Sequence, residues 1–255
     1  MPERSKIFPE LKPEELIKYN RQIILPSFGE EGQRKLKSSH IIVAGMGGLG
    51  SPISIYLACA GVGKLTLIDF DTVELSNLNR QILHWDEDIG ERKVISAARK
   101  LRRINPLVEV IPVEAKITEA NIRELIREAD IVMDAMDNME TRFIINEACI
   151  REGIPFIHGG IYGLMGEATT IIPGRTPCLE CIYPRGTETK KPFPVFGATP
   201  ALIASIQVME AIKLIGGFGK LLAGRMLYFN GENMEFWIAD IERNPNCPIC
   251  GGKDG

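Results

Sequence analysis

Ile41-Ile42-Val43-Ala44-Gly45-Met46-Gly47-Gly48-Leu49-Gly50-Ser51 is the stretch on which the reading of this chain turns. An apolar run suited to a buried strand leads into a glycine-rich turn, and a helix-like run from Ser51 to Ala60 follows. Lys64-Leu65-Thr66-Leu67-Ile68 then reads as a second strand, ending in Asp69, 19 positions after Gly50. Strand, glycine turn, helix, strand and acid is the spacing of a βαβ nucleotide-binding unit. In that unit Gly45 makes the tight turn, and Gly47 with Gly48 lets backbone N–H groups approach phosphate. Gly50 lets helix and strand pack closely. The helix N-terminus adds partial positive charge, and Asp69 is placed to accept from ribose hydroxyls. A purely structural βαβ with a glycine-rich turn is the alternative.

The totals bound the rest. At 255 residues the chain suits one large α/β domain or two small ones. A net charge of −3 gives no basic bias, which argues against a nucleic-acid or anionic-membrane partner. The longest apolar runs carry charges or are too short for a bilayer, and Met1–Lys6 lacks the apolar core of a signal peptide. A soluble, cytoplasmic protein is expected.

Outward from the βαβ unit, Pro13 to Leu36 reads as two helical pieces broken around Pro26-Ser27-Phe28-Gly29. Ile89 to Ile104 has helical spacing, Val108–Pro112 a short strand, and Thr118 a cap for a helix bearing Ile122, Leu125 and Ile126. Ile131-Val132-Met133 reads as a buried parallel strand running into Asp134 and Asp137, followed by a helix near 140–152 and a strand at 155–158. After Gly159 the pattern changes. Gly166–Ile172, Arg225–Asn230 and Met234–Ala239 read as antiparallel strands, the last two joined at Asn230-Gly231. A helix near 200–215 should place Leu202, Ile206, Met209 and Ile212 on one face. No linker divides the chain. The expected fold is a single α/β domain over 1–255, with a Rossmann-like parallel half over about 38–160. A mixed, largely antiparallel half covers about 161–255, with a peripheral metal site.

That site rests on the cysteines. Cys178-x-x-Cys181 and Cys247-x-x-Cys250 are two knuckles separated by 65 residues and flanked by turn formers. Four thiolates from two such turns suit a tetrahedral, structural Zn²⁺ with no open position for catalysis. A disulfide pair and a redox Cys-x-x-Cys are the rival readings. Cys59 and Cys149 lie in apolar helical runs and read as small core residues.

A dinucleotide asks for few cations, whereas Mg-ATP needs basic side chains and a carboxylate for the metal. Arg80, Lys93 and Asp137 offer such a set, against the plainer reading of solvated surface charge. An NAD-dependent dehydrogenase would leave that set and the knuckles unexplained. His158, beside Gly159-Gly160, reads as a structural histidine rather than a site residue, and Asp71 as a metal support or a turn cap. Phe236 and Trp237 read as strand core rather than a docking surface.

From Tyr19 to Cys250 the sequence resembles the ubiquitin-activating (E1-like) superfamily, nearest to its MoeB/ThiF/HesA group. The resemblance is carried by Tyr19-Asn20-Arg21-Gln22, the Gly45–Gly50 turn, Asp69-Phe70-Asp71, Ser76-Asn77-Leu78-Asn79-Arg80-Gln81, Lys93, Asp137-Asn138 and both cysteine knuckles. It implies an enzyme that binds Mg-ATP and adenylates the C-terminal Gly-Gly tail of a small β-grasp sulfur-carrier protein, releasing pyrophosphate for molybdopterin, thiamin or tRNA-thiolation chemistry. It also implies that Asp69 holds the ribose, that Asn77, Arg80 and Lys93 surround the phosphates, and that Asp137 serves Mg²⁺. Arg21 would complete the neighbouring subunit's site in a homodimer. Several relatives use a cysteine beyond the first knuckle for a thioester or acyl-disulfide step. Residues 182–246 contain none, so a crossover loop at 182–199 lying over the carrier's tail should form no such adduct. A separate sulfur donor such as a cysteine desulfurase is then expected, with no rhodanese-like domain after the second knuckle. An E1-like enzyme adenylating a tRNA base or a peptide is the alternative.

Overall fold

A computed structural model describes residues 8–186 and 194–251. One eight-stranded sheet runs through them in the order β3-β2-β1-β4-β5-β6-β7-β8. Five strands are parallel: β1 (His40–Ala44), β2 (Lys64–Asp69), β3 (Glu109–Glu114), β4 (Ile131–Asp134) and β5 (Phe156–Tyr162). Three more continue the sheet antiparallel: β6 (Met165–Ile171), β7 (Arg225–Asn230) and β8 (Glu235–Asp240). The chain lays β2 and β3 to one side of β1 and then returns to place β4 on the other. That reversal between β1 and β4 opens a crevice beyond the strand C-termini, where ligands of open α/β sheets bind.

Strand alternation feeds two cores. Ile41 and Val43 of β1 point to one face, Ile42 and Ala44 to the other. The first face is covered by α3 (Gly29–Lys37), α4 (Gly50–Ala60), α5 (Lys93–Ile104) and α9 (Ala198–Gly216). The second is covered by α6 (Ile122–Ile126), α7 (Met139–Glu152) and α8 (Leu179–Ile182), the last lying within the first cysteine knuckle. A strand buried on both faces must be apolar throughout, which is why β1 reads as an unbroken hydrophobic run.

Several expectations need correction. The N-terminal helical stretch is three pieces: α1 (Pro13–Lys18), α2 (Asn20–Ile23) and α3. The extra break falls at Tyr19, buried against Gly61 with its hydroxyl accepting from Asn105 Nδ2 at 2.8 Å. Asn121, not Thr118, occupies the N-cap of α6, and its side-chain oxygen accepts from the Thr118 N–H at 2.8 Å. β7 and β8 pair Asn230 with Glu235, so their connection is the four-residue loop 231–234 rather than a two-residue turn. On α9 the deepest residues are Ile203, Ala204, Gln207 and Ala211, and Met209 is 56% exposed. The helix lies between α4 and strands β5 and β6, and these neighbours select a different stripe from the one its spacing suggested. α9 is long and apolar enough to cross a membrane by composition alone; here it is a core helix. Cys59 is exposed on α4, whereas Cys149 is buried. Phe236 and Trp237 are exposed too, because both faces of β8 are open to solvent. His158 lies inside β5, not at its end, and has no exposed surface. Of the expected crossover loop, residues 187–193 lie outside the described part.

Candidate nucleotide site and cysteine centre

The turn after β1 is shaped by two glycines that tolerate nothing larger. Gly45 has φ of +100°, donates its N–H to the Ile68 carbonyl at 2.8 Å, and would bring a Cβ to 2.5 Å from the Ala135 oxygen. A Cβ on Gly50 would sit 1.9 Å from the Gly45 oxygen. Gly47 and Gly48 play another part. Their added Cβ atoms would meet nothing closer than 3.7 and 3.4 Å, and both line a cleft of about 630 Å³ at the β1–β4 switch point. That volume falls within the range of about 300–1,000 Å³ typical of small-molecule sites.

Four helices begin at this cleft. Leu49 before α4, Lys93 of α5, Asn138 before α7 with Glu140 and Thr141 in it, and Pro200 of α9 all line it. The partial positive charge of four helix N-termini gives the cavity a potential suited to an anionic ligand. Asn138 caps α7 by accepting the Thr141 N–H at 2.9 Å, which leaves Asp137 just outside the helix at the cleft wall. A Cβ on Gly197 would lie 2.5 Å from the Asn79 carbonyl, so the start of α9 packs on the loop that carries Arg80.

The predicted side chains sort into those the fold brings together and those it does not. Asp69, Arg80, Lys93 and Asp137 all line the cleft, with Asp71 beside them. Asp69 accepts the N–H of Met46 at 2.7 Å and of Asp71 at 2.8 Å. Burial raises its pKa above the ordinary aspartate value, although Lys93 and both N–H groups pull the other way. Lys93 is 6% exposed, and its ammonium lies 3.0 Å from the Asp71 carboxylate. Arg80 is folded onto its own loop, donating to the Ser76 carbonyl at 2.8 Å and the Asn79 side chain at 3.1 Å.

Asn77 and Arg21 lie elsewhere. Asn77 is buried and outside the cleft lining. Its side-chain oxygen accepts the Glu74 N–H at 3.1 Å and its carbonyl accepts the Gln81 N–H at 2.9 Å. It therefore holds the loop that presents Arg80 instead of facing the ligand. Arg21 is exposed on α2, which docks through Gln22 Nε2 on the Ala60 carbonyl at 2.7 Å. Ala60 ends α4 and the glycine turn starts it, a separation of about 15 Å along the helix.

Sequence reasoning missed Gln81, Arg142 and the lip of the cleft. Ile68, Phe70, Ala115, Ile117 and Met136 form a largely apolar wall at the C-terminal ends of β2, β3 and β4, with Lys116 among them. Gln81 is buried with its amide oxygen unpaired at the cleft. Arg142 is buried on α7 and donates to the carbonyls of Met136 at 2.7 Å and Gly159 at 3.0 Å. Nothing in Met-Glu-Thr-Arg-Phe distinguishes that arginine from a surface one.

Cys178, Cys181, Cys247 and Cys250 converge, as their spacing predicted. Their sulfurs all lie within 4.8 Å of one another, with separations of 3.6 Å between Cys178 and Cys247 and 3.4 Å between Cys181 and Cys250. A disulfide needs about 2.05 Å, whereas four sulfurs about 2.3 Å from a tetrahedral ion stand roughly 3.8 Å apart. Burial raises the Cys178 and Cys181 thiols. At Cys247 burial acts the same way, but the N–H groups of Cys250 and Ile249 and the neighbouring thiols bring it down to about 7. The donor set fits Zn²⁺, and the centre ties the C-terminal segment back to α8.

The sequence profile of the ThiF family matches residues 19–249. The SAMP-activating enzyme E1 of Haloferax volcanii is 43% identical over 93% of this chain and 89% of its own length. The sulfur carrier protein adenylyltransferase of Thermus thermophilus is 40% identical over 94% and 92%, and the molybdopterin-synthase adenylyltransferase of Escherichia coli 40% over 95% and 99%. Among solved structures, E. coli MccB with ATP superposes with a TM-score of 0.82 at 27% identity, covering 92% of this chain and 74% of that one. With the glycine turn, the acid after β2 and the cysteine centre in their expected places, the chain belongs to the ThiF family.

Proposed function

We propose that this protein uses Mg-ATP to adenylate the C-terminal Gly-Gly carboxylate of a small β-grasp sulfur-carrier protein. One observation carries the reading: Asp69, Arg80, Lys93 and Asp137 share a cleft onto which four helix N-termini open. The relative named a sulfur carrier protein adenylyltransferase, 40% identical over 94% of the chain, supports that substrate class.

In the reaction a carboxylate oxygen of the tail attacks the α-phosphorus, the bond to the β-phosphate breaks, and pyrophosphate leaves. Asp69 holds the ribose, and Gly47 and Gly48 present N–H groups to the phosphates. Arg80 unfolds from its loop onto the phosphates, where Lys93 already points. Asp137 would hold Mg²⁺, which neutralises phosphate charge when bound. The tail carboxylate is ionised at neutral pH, so positioning and charge neutralisation carry the step. Arg21, remote from its own cleft, serves the neighbouring subunit's site, which makes the enzyme a homodimer with two composite sites.

Zn²⁺ on the four cysteines is structural, and the chain acts as a single cytoplasmic E1-like domain. With no cysteine in 182–246, Cys149 buried and the exposed Cys59 at the end of α4 away from the glycine turn, sulfur comes from a separate donor such as a cysteine desulfurase; a covalent adduct on Cys59 would overturn this. The test is ATP–pyrophosphate exchange with each Gly-Gly-ended carrier of the source genome. Exchange that needs the intact tail and vanishes in Asp137→Ala is expected. Tight Mg-ATP binding without exchange on any carrier would instead favour a tRNA-base or peptide substrate.

A further inference from the structure

Arg142 at the cleft is one end of a buried chain of polar groups that leaves the site altogether. Its Nε lies 3.2 Å from Asp134 Oδ2, and the same oxygen stands 2.6 Å from His158 Nδ1. The other His158 nitrogen is 3.6 Å from Glu167 Oε1, which accepts the Tyr183 hydroxyl at 2.6 Å. Asp134 and His158 are fully buried, and the Tyr183 ring meets the imidazole edge-on at 6.1 Å. Gly160 makes the approach possible, since a Cβ there would lie 2.6 Å from Glu167 Oε1.

With His158 protonated, two cations face two carboxylates. Such a buried quartet is seldom worth more to stability than well-packed apolar side chains of the same volume. Its two ends suggest another use. One end holds the Met136 carbonyl, immediately before Asp137. The other is Tyr183, two residues beyond Cys181, where the chain leaves the cysteine centre for the segment predicted to lie over the carrier's tail.

We propose that Tyr183 is a positioning residue for the metal–nucleotide site: through Glu167, His158, Asp134 and Arg142 it fixes the Met136–Asp137 backbone, so that the segment leaving the cysteine centre and the Mg²⁺ carboxylate are set as one unit. The proposal rests on the reading of Asp137 given above. Arg142 and His158 act in it by holding other groups and touch no reacting atom.

The test is calorimetric titration of the full chain with a non-hydrolysable ATP analogue, with and without Mg²⁺. Tyr183→Phe removes one hydroxyl and is expected to weaken Mg²⁺-dependent binding roughly tenfold, the size of one lost hydrogen bond to a charged group, while Mg²⁺-free affinity stays the same. Glu167→Gln, which keeps an acceptor for the hydroxyl but loses the charge facing His158, should fall between parent and Tyr183→Phe. The double variant Tyr183→Phe/His158→Asn should be no worse than the weaker single one, because both act through one chain of contacts. Equal losses with and without Mg²⁺, additive effects, or a Tyr183→Phe protein indistinguishable from the parent would overturn the coupling alone. A parent that binds no Mg-nucleotide would instead overturn the reading of the cleft, and this proposal with it.

Discussion

Lys93→Met tests the charge argument where the structure is most explicit. The substitution keeps an unbranched apolar stem in a site only 6% exposed, so packing is largely conserved. It removes an ammonium whose ion-pair partner, Asp71, has half its side chain in solvent and neutralises it only weakly. A unit charge about 4 Å from a phosphate oxygen, at an effective dielectric near 20, contributes roughly 4 kcal/mol. Part of that attraction already exists with bound ATP, so the expected loss in kcat/KM for pyrophosphate exchange is about 100- to 1,000-fold. A second effect follows from Asp69. Burial raises that carboxyl, and Lys93 heads the groups opposing the rise. Without the ammonium Asp69 protonates at a higher pH, so nucleotide affinity should fail earlier on acidification in Lys93→Met than in the parent. Lys93→Arg, which keeps the charge, should recover much of the activity. Exchange within about fivefold of the parent in a Lys93→Met protein of normal melting temperature would refute the reasoning.

Gly50→Ala places a Cβ 1.9 Å from the Gly45 carbonyl and should cost at least about 3 kcal/mol in urea denaturation. Gly48→Ala meets Pro200 only at 3.4 Å, so it should fold normally and lose nucleotide affinity instead. Arg21→Ala and Asp137→Ala should each be inactive alone. Refolded as an equal mixture, they should regain about a quarter of parental exchange, because each mixed dimer holds one intact composite site; no recovery would place Arg21 outside the site. Cys250→Ser should lower bound zinc measured by atomic absorption and the melting temperature together. At His158 burial favours the neutral ring, but Asp134 and Glu167 outweigh it and raise the pKa. Its contribution to stability is then complete below the unfolded value of about 6.5 and is lost as pH rises through the higher folded value. The parent's melting temperature should fall as pH rises above about 6.5, with a flatter profile in His158→Gln.

What the sequence made legible was local. The glycine turn, Asp69 and the strands on either side are encoded within 30 positions, and a buried parallel strand must be apolar whatever surrounds it. The cysteine centre was legible for a different reason: thiolate ligation dictates a spacing within each knuckle that packing does not. Properties set by distant neighbours were not. Periodicity shows that α9 has an apolar stripe, but β5, β6 and α4 decide which stripe is buried, and Met209 lost that contest. Trp237 alternates like a core residue and is exposed because both faces of β8 are left open to solvent. Asn77 stands in a motif of which Arg80 and Gln81 line the cleft, yet its hydrogen bonds are spent on the loop that presents them. Arg142 was invisible because its value comes from Asp134 and two carbonyls brought to it by separate strands.

The histidines show how the cleft and the proposed chemistry agree. The chain has three, and each is committed to holding structure. His40 spans the Glu128 carbonyl at 3.0 Å and the Thr66 hydroxyl at 2.8 Å. His84, buried behind the glycine turn, reaches the Ser96 hydroxyl at 2.9 Å and the Met46 carbonyl at 3.0 Å. His158 is held by Asp134, and none of the three lines the cleft. An enzyme that had to ionise a hydroxyl or a thiol would need a base within hydrogen-bond reach of it. A C-terminal carboxylate arrives ionised. In the proposed reaction its obstacle is repulsion from the α-phosphate, which the helix N-termini, Lys93, Arg80 and a metal held by Asp137 would relieve by lowering negative charge before the two meet. His84 belongs to that arrangement indirectly: by fixing the Met46 carbonyl it helps to hold the residue whose N–H donates to Asp69. A base at neutral pH would add nothing to such a reaction, and the fold uses its imidazoles to keep the donors in place.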